Sequence, residues 1–403
     1  MEASRVRTIR HPSYDLNQRP FLVIWEVTRA CDLACVHCRA SAIPEREPGE
    51  LDTEEGYRLI DQVAEFIPPP PLFILTGGDP FKREDLFDLV RYGAEKGLPV
   101  SVSPSGTPTL TPENIRRLRE AGAVAISFSI DGSTPAIHDG FRRVEGVYRW
   151  TLRGWEAAQS CGLKVQINTT VTPHNLEDLP NIFELVRSRG VMTWSVFFLV
   201  PTGRGKGLPQ LSPQEFEDVM HFLYDVSKVL PVKTTEGHHY KRVVVQRTIL
   251  EQRGIPPEEI LPLGPTYRRL RGRVHLPGGG EGPGKMRRPP LDVNAGKGFV
   301  FINHLGNVFP SGFLPLAVGN VRSTPLGELY RTSPLFRSLR DPNQLRGRCG
   351  RCEFRTVCGG SRSRAFGVLA DPLDEDPFCA YEPGSFPFQE DVARILAGGG
   401  GEG

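Results

Sequence analysis

The sequence predicts an α/β fold in which helices cover a parallel sheet. Over residues 21–230, six short apolar segments alternate with six segments of helical spacing, and such alternation favours parallel βαβ units. Six units are fewer than the eight of a closed barrel. Hydrophobic residues make up 39% of the chain and charged residues 24%, which is the composition of a globular protein.

Local signals place each predicted element in order. The predicted strands are Phe21–Val27, Leu72–Leu75, Leu98–Ser103, Val124–Ile130, Lys164–Val171 and Thr193–Val200. The predicted helices are Thr53–Phe66, Arg83–Lys96, Pro112–Ala121, Val147–Cys161, Leu176–Arg189 and Pro213–Val229. An acidic first turn supports the first helix and the prolines at 68–71 end it, while a proline in the first turn supports the third.

The pattern changes after residue 230. Residues 231–296 are polar apart from one apolar, helix-like run, Val243–Leu250. Within them, Gly264–Pro290 is basic and rich in Gly and Pro, which predicts a flexible linker or an active-site lid. The adjacent His238 and His239 could meet a substrate or a metal, but a solvent-exposed pair is the commoner meaning of adjacent histidines and is what we expect. A strand, a turn and a returning strand are predicted for 299–310.

Charge and cysteine content restrict the class of protein. The 49 Lys and Arg nearly balance the 47 Asp and Glu, so nothing favours binding to nucleic acid or to a membrane. No charged-then-apolar leader opens the chain and no apolar run is long enough for a membrane span, so we expect a cytoplasmic protein. In that reducing compartment 8 cysteines indicate metal binding or catalysis before disulfides.

The loop after the first predicted strand contains Cys31, Cys35 and Cys38, with the spacing C-x3-C-x2-C. Three thiolates can hold three irons of a cubane cluster and leave the fourth iron open to a ligand. For three close cysteines alone, a zinc site or buried packing is the alternative.

This loop resembles the signature of radical S-adenosylmethionine (SAM) enzymes. The resemblance implies a TIM-like partial (βα)6 barrel, a 4Fe-4S cluster held by Cys31, Cys35 and Cys38, and SAM bound to the open iron. In that family a reduced cluster cleaves SAM, and the resulting 5′-deoxyadenosyl radical abstracts a substrate hydrogen. A reductant such as flavodoxin or ferredoxin is therefore an implied partner. His37 stands where the family often has an aromatic residue.

Two further segments resemble SAM-contacting elements of the same family. The segment after the second strand looks like the Gly-Gly-Glu-Pro motif that meets the SAM amino group, and it consists of Thr76, Gly77, Gly78, Asp79 and Pro80. Ser129 and Asp131, after the fourth strand, are similar to a Ser-x-Asp-Gly element, and Asn168 is assigned to the SAM ribose or carboxylate. The alternatives are an ordinary Gly-Gly turn and polar residues satisfied within a sheet. The neighbouring Arg142 and Arg143 could reach a carboxylate, but an arginine pair is more often part of a solvated face.

A second cysteine group has the spacing C-x2-C-x5-C followed by a distant fourth cysteine, and its members are Cys349, Cys352, Cys358 and Cys379. Four thiolates can close either a cubane or a zinc tetrahedron, and spacing does not separate the two. Together with the preceding strand, the group resembles the SPASM extension of radical SAM enzymes. Because Ser311 and Arg362 stand where the two-cluster version has cysteines, the resemblance implies a single auxiliary 4Fe-4S cluster.

These patterns divide the chain into five predicted regions. They are an N-terminal arm (1–20), a radical SAM partial barrel (21–230), a bridging segment (231–296), a small SPASM-like domain (297–385) and a C-terminal tail (386–403) whose glycines at 398–401 we expect to be disordered.

The first cysteine loop, the segment at 76–80 and the second cysteine group together resemble the branch of the family that includes heme-biosynthesis proteins. Those proteins act on porphyrin side chains, for example by oxidative decarboxylation of propionates. We therefore expect radical SAM chemistry on a tetrapyrrole side chain. Two alternatives are a maturase that modifies a ribosomal peptide or protein, and a non-catalytic iron–sulfur or zinc scaffold. The sequence predicts no oligomeric state.

Overall fold

The computed structural model of the protein describes residues 15–66, 68–276 and 293–397. Three sets of residues for which the sequence carried predictions lie outside the described residues: 1–14 of the arm, 277–290 of the Gly/Pro-rich segment and the glycines at 398–401. Within the described residues, the predicted α/β fold with a mostly parallel sheet is confirmed.

One ten-stranded sheet organises the described chain. Its strands are β1 (Leu22–Glu26), β2 (Leu72–Thr76), β3 (Val100–Val102), β4 (Ala125–Ser129), β5 (Lys164–Val171), β6 (Thr193–Phe198), β7 (Val232–Thr235), β8 (Phe299–Ile302), β9 (Asn307–Phe309) and β10 (Gly319–Asn320). They lie in the order β10-β9-β8-β1-β2-β3-β4-β5-β6-β7. The pairs formed among strands β1 to β8 are all parallel, so the carboxyl ends of these eight strands meet at one edge of the sheet. The β8–β9 and β9–β10 pairs are antiparallel.

Helices follow most of the strands. They are α1 (Thr53–Ala64), α2 (Leu86–Glu95), α3 (Pro112–Glu120), α4 (Pro135–Arg142), α5 (Val147–Ser160), α6 (Leu179–Arg189), α7 (Pro213–Val226), α8 (His239–Arg253), α9 (Pro265–Gly272), α10 (Leu326–Thr332), α11 (Pro334–Arg340), α12 (Gly347–Arg351), α13 (Arg362–Leu369) and α14 (Gln389–Ala397). Side-chain caps fix several starts: Asp52 and Glu55 form a capping box on α1, as Ser212 and Glu215 do on α7.

The two faces of the sheet have different surroundings. On β5, Val165 and Ile167 are buried in the core shared with the helices, whereas Gln166, Asn168 and Thr170 line an internal cavity. Side chains from all eight parallel strands line this same cavity. The sheet is therefore curled around it, which is consistent with a partial barrel.

Two elements of the barrel region were not predicted. Strand β7 contains Lys233, Thr234 and Thr235 in place of an apolar run, because Lys233 and Thr235 face the cavity and not the core. Helix α4 is short and begins directly after the turn-like residues 132–134. The six predicted βα units are present, and β7 adds a seventh parallel strand after them.

Two helices lie in segments for which the sequence predicted none. Helix α9 occupies 265–272 of the expected linker and packs against α7, so the prediction is wrong for these residues. Thr266 and Leu270, four residues apart on one face of this helix, are both buried. Helix α14, within the expected tail, packs against α8, and Arg253 pairs with Asp391 at 2.6 Å.

Strand β8 pairs in parallel with β1, with Leu22 opposite Phe299 and Ile24 opposite Phe301. The hairpin expected to open the C-terminal domain therefore extends the sheet of the barrel. The division of the chain into domains stays a prediction. Of the helices in the described ranges, none has both the length and the apolar character that a membrane span requires.

Candidate active site

The internal cavity continues from the inner face of the sheet into the loops at its carboxyl edge. One wall is apolar and includes five phenylalanines: Phe197, Phe198, Phe299, Phe301 and Phe313. Four basic side chains also line it, namely Arg39, Arg142, Arg204 and Lys233. Among the described residues that line the cavity there is no Asp or Glu. Arg39 and Arg142 are each paired with a carboxylate that lies outside the lining, Glu26 and Asp131 respectively. The lining therefore offers cationic hydrogen-bond donors beside a large apolar surface.

All three cysteines of the first group line this cavity. Each sulfur has a hydrogen-bond partner: Cys31 Sγ accepts from Leu33 N at 3.4 Å, Cys35 Sγ from Arg142 Nη1 at 3.6 Å and Cys38 Sγ from Ala42 N at 3.4 Å. Donors that converge on sulfur stabilise negative charge on a thiolate. Three such sulfurs in one loop fit a cubane that is left with an open iron.

Burial opposes ionisation of these thiols. It raises the pKa of Cys31 to about 11, and it raises the pKa of Cys35 although the Arg142 guanidinium opposes the shift. Because iron binds the thiolate, loading of a cluster has to displace protons from these groups.

The glycines of the 76–80 segment are required by close packing. A Cβ on Gly77 would lie 2.6 Å from Thr28 O, and one on Gly78 would lie 2.3 Å from Ala30 O. The turn therefore rests directly on the chain that leads from β1 into the cysteine loop. Thr76, Gly77 and Gly78 line the cavity, so their backbone is available to a ligand.

Asp79 and Pro80 have a different place from the one expected. Neither lines the cavity, and Asp79 is fully buried. Its carboxylate accepts from Thr107 Oγ1 at 2.8 Å and from Ser105 N at 3.3 Å, while burial raises its pKa. Ser105 in turn donates to Gly78 O at 2.6 Å. Asp79 thus connects the turn at 76–78 with the loop that follows β3, from a position outside the cavity lining, and is suited to hold both in place.

The polar residues of β4 and β5 divide in the same way. Ser129 and Asn168 line the cavity, and Gln166 donates to Asn168 Oδ1 at 2.7 Å. Asp131 is fully buried outside the lining, where it accepts from Thr170 N at 2.7 Å and pairs with Arg142. The carboxylate of Asp131, which the sequence assigned to SAM, therefore pairs with the Arg142 side chain of the protein itself.

Sequence reasoning named Arg142 as able to reach a carboxylate but favoured a solvated face for it, and it missed Arg204. Arg142 is not part of a solvated face, because it contacts Cys35 Sγ and pairs with Asp131, whereas Arg143 is exposed. Arg204 donates to Cys35 O at 2.9 Å and to Ala42 O at 3.1 Å, so it holds the cysteine loop. Gly203, just before it, allows this close approach, since a Cβ there would lie 2.3 Å from Arg39 O.

The second cysteine group lines a separate small cavity, and all four members contribute: Cys349, Cys352, Cys358 and Cys379. Backbone N–H groups donate to two of the sulfurs, Gly360 N to Cys358 and Asp376 N to Cys349, both at 3.4 Å. Burial raises the pKa of Cys379 to about 11 and that of Cys352 to about 12. Four converging thiols with N–H donors fit a fully ligated cluster.

Neighbours of this second cavity correct one expectation. His239 is buried and lines it, with Nε2 3.0 Å from Asp376 Oδ2, because α8 begins there and packs against the cysteine segment. The predicted exposure of His239 is therefore wrong. Within the described ranges no three His, Cys, Asp or Glu side chains are close enough to hold a single metal ion. A cubane does not require that spacing, since each thiolate binds a different iron.

Comparisons with known proteins agree with this geometry. The sequence profile of the radical SAM superfamily matches residues 25–186. The AdoMet-dependent heme synthase of Methanosarcina barkeri is 38% identical over 371 residues, covering 92% of this chain and 99% of that protein. The AdoMet-dependent heme synthase of Oleidesulfovibrio alaskensis is 41% identical over 370 residues, covering 91% and 88%. Streptococcus suis SuiB bound to S-adenosylmethionine shares the fold, with a TM-score of 0.64 at 14% identity over 90% of this chain and 78% of that one.

The resemblance to the heme-biosynthesis branch is thereby confirmed. The relatives are synthases that match along nearly their whole length, so the alternative of a non-catalytic scaffold is set aside. The chain belongs to the radical SAM superfamily, in the branch of the AdoMet-dependent heme synthases, and is an enzyme that uses a 4Fe-4S cluster and SAM.

Proposed function

We propose that this enzyme converts propionate side chains of an iron tetrapyrrole into vinyl groups by radical-initiated oxidative decarboxylation. The observation that carries the proposal is the lining of the internal cavity, which combines an apolar aromatic wall with basic side chains and, in its described part, has no carboxylate. A porphyrin is planar and apolar and carries anionic side chains, so it matches both properties. The names of the two heme synthases support the same substrate class.

The basic and aromatic residues have separate tasks in this proposal. Phe301 and Phe313 contribute aromatic surface to the lining that can pack against a macrocycle, and aromatic contacts are worth about 0.5–1.5 kcal/mol each beyond the buried area. Arg39 lies over the Phe301 ring at 4.5 Å and pairs with Glu26 at 2.5 Å, so it is held in place at the aromatic wall. Lys233 enters the cavity from β7. Charged hydrogen bonds from such cations orient carboxylates.

The cofactor site is assigned from the first cysteine group. Cys31, Cys35 and Cys38 would hold the cluster, which with SAM supplies a 5′-deoxyadenosyl radical. The backbone of 76–78, Ser129 and Asn168 would contact SAM, because they line the cavity beside these cysteines. We assign Asp79 and Asp131 to positioning, since their carboxylates are buried behind the lining.

The proposed reaction balances as follows. A hydrogen atom leaves the propionate carbon next to the ring and forms 5′-deoxyadenosine. The bond to the carboxylate then breaks and releases CO2, a carbon–carbon double bond forms, and one electron is left over. Each vinyl group therefore requires a one-electron acceptor in addition to SAM.

We assign that acceptor role to an auxiliary 4Fe-4S cluster held by the second cysteine group, as in the SPASM arrangement. Four converging thiols and two backbone N–H donors support a closed cluster there. A flavodoxin or ferredoxin would deliver the electron that starts each turnover. The reducing cytoplasm is the compartment in which such partners and free thiols are expected.

The test uses anaerobically reconstituted enzyme with SAM, dithionite and Fe-coproporphyrin III, which has propionates where heme has vinyl groups. We expect 5′-deoxyadenosine together with porphyrins that have lost one CO2 and two hydrogen atoms for each side chain converted, detected by mass spectrometry. Formation of 5′-deoxyadenosine with an unchanged porphyrin contradicts the substrate assignment. In that case peptides in a cell extract are the next substrates to assay, as expected for a maturase.

A further inference from the structure

A buried arginine contacts the second cysteine group. Arg362, the first residue of α13, is 1% exposed and has Nη2 at 3.5 Å from Cys349 Sγ. Gly360 makes room for it, because a Cβ there would lie 2.7 Å from Arg362 Nη2 and 3.0 Å from Cys349 Sγ. The local backbone thus holds a guanidinium against a thiol that we assign to the auxiliary cluster.

The other partners of Arg362 carry no charge. Its remaining N–H groups donate to the backbone oxygens of Gly360 at 3.4 Å, Pro372 at 3.0 Å and Asp374 at 2.6 Å. In the described part of the chain, no carboxylate lies within ion-pair distance of it. Carbonyl oxygens satisfy the N–H groups but leave the positive charge in place.

Arg142 at the first cysteine group provides the contrast. It also donates to a cysteine sulfur, Cys35 Sγ, but its charge is balanced by the buried carboxylate of Asp131. At the second group, Arg242 lines the cavity and is likewise balanced, by Glu217 at 2.7 and 2.6 Å. Arg362 therefore adds a buried positive charge that these two arginines do not.

Positive charge and N–H donation to sulfur both favour the reduced state of an iron–sulfur cluster, because reduction adds negative charge to the irons and sulfurs. We propose that Arg362 is a positioning residue that raises the reduction potential of the auxiliary cluster and so makes it a better acceptor for the electron released from substrate. This inference rests on the proposed auxiliary cluster. The part about potential does not depend on which substrate is used.

The test compares Arg362→Met with wild type in a potentiometric titration of the substrate-free holoenzyme, followed by electron paramagnetic resonance of the reduced clusters. Met keeps much of the side-chain volume and removes the charge and the donors. We expect the potential of the auxiliary cluster to fall while that of the SAM-binding cluster stays unchanged. Arg351→Met is the matched control, because Arg351 neighbours Cys352 but is 60% exposed, so solvent screens its charge.

Two results overturn the inference. One is an Arg362→Met protein that keeps its full iron content and an unchanged auxiliary potential. The other result applies if that variant loses iron, and it is obtained with wild-type enzyme labelled with 15N-arginine. Pulsed electron paramagnetic resonance of the reduced auxiliary cluster should then show a coupling to nitrogen. Absence of this coupling would show that no arginine contacts the cluster and would overturn the inference. A lowered potential combined with no porphyrin conversion by wild type contradicts only the proposed function.

Discussion

Asp79 shows how a residue can affect a cofactor site without facing it. Its carboxylate accepts from Thr107 and Ser105, and Ser105 Oγ lies 3.4 Å from Cys31 Sγ as well as donating to Gly78. Loss of the carboxylate should therefore release both the loop after β3 and the turn at 76–78. The cysteine ligands themselves would remain in place.

Asp79→Ala should weaken SAM binding by about tenfold, which corresponds to about 1.4 kcal/mol, while the absorption of the cluster survives. Equilibrium binding of SAM to the reconstituted protein measures this. Cys35→Ala is the contrasting variant, because it removes one of three ligands and should abolish SAM cleavage. The positioning role is refuted if Asp79→Ala binds SAM as tightly as wild type.

His304 gives the site a pH-dependent support. Its Nδ1 lies 2.7 Å from Glu26 Oε1 and its Nε2 lies 2.9 Å from Glu47 Oε2. Burial opposes its charge, but the hydrogen bond to Glu26 and the charge of that residue raise the pKa of His304 above its usual 6.5. A raised pKa in the folded state means that stability is present below the usual value and is lost as the pH rises through the raised value.

The melting temperature of the wild type should therefore decline as the pH increases above 6.5. His304→Gln, which cannot titrate, should lack this part of the decline and be less stable at low pH by about 1.5–3 kcal/mol, the worth of a charged hydrogen bond. Calorimetry of both proteins across this range is the measurement. Parallel curves for the two proteins would contradict the linkage.

At the level of secondary structure, the sequence predicted the elements whose burial follows a regular period. Strands β1 to β6 have apolar residues against the helices, so a run of hydrophobic side chains marks each of them. Strand β7 was missed because Lys233 and Thr235 face the cavity, so no apolar run marks this strand. Helix α9 was missed because its short sequence lies in a basic segment, and its burial depends on contact with the distant α7.

The site divides in the same way between local and distant information. Cysteine spacing and the Gly-Gly turn are local, so they were visible in the sequence. The partners that place Arg142 and Arg362 are distant in the sequence, so they were not visible there. Asp131 lies on the preceding loop, and Cys349 comes within reach of Arg362 only when the segment between them folds back. Arginine is common on protein surfaces, and no local pattern separates a buried one.

Glu236, directly after β7, joins the barrel to the C-terminal segment. Three serines donate to its buried carboxylate: Ser311 at 3.2 Å, Ser361 at 2.5 Å and Ser363 at 2.8 Å. Ser311 is one of the positions where the two-cluster SPASM pattern has a cysteine. The Ser311 hydroxyl, hydrogen-bonded to the Glu236 carboxylate, thus stands where the two-cluster pattern has a cysteine ligand of a further cluster.

Glu236→Ala should leave three buried hydroxyls without their acceptor and lower stability by about 3 kcal/mol. The backbone at this position has φ 56, which is strained for Ala and Glu alike, so the variant isolates the side chain. Scanning calorimetry should show a clear fall in the melting temperature. Glu258→Ala, at an exposed position, is the control, and an equal shift in both variants would contradict the role of Glu236.

For the whole molecule, the two cysteine groups predict the metal content. Two cubanes require about eight irons per chain after anaerobic reconstitution, since each holds four. Iron and zinc analysis of the same sample measures this. About four irons with one zinc would make the second group a zinc site, and about twelve irons would mean that further ligands exist.

Cooperation between the two groups is tested by removing one ligand of the second. If the auxiliary cluster accepts the electron left after loss of CO2, then Cys352→Ala should leave SAM cleavage at least partly intact, because Cys31, Cys35 and Cys38 lie in a separate cavity. Product formation should fall much further, because the substrate radical has no acceptor. The ratio of 5′-deoxyadenosine to vinyl product should therefore rise.

A purely structural cluster predicts a different result. Cys352 and Cys358 pack beside the apolar cluster of Phe354 and Val357, so loss of the metal would loosen this region and lower both yields together, along with the melting temperature. Cys161→Ala is the control, since Cys161 lies at the end of α5 and belongs to neither group. A soluble Cys352→Ala protein whose ratio equals that of wild type would eliminate electron transfer to the second group and leave it a structural role.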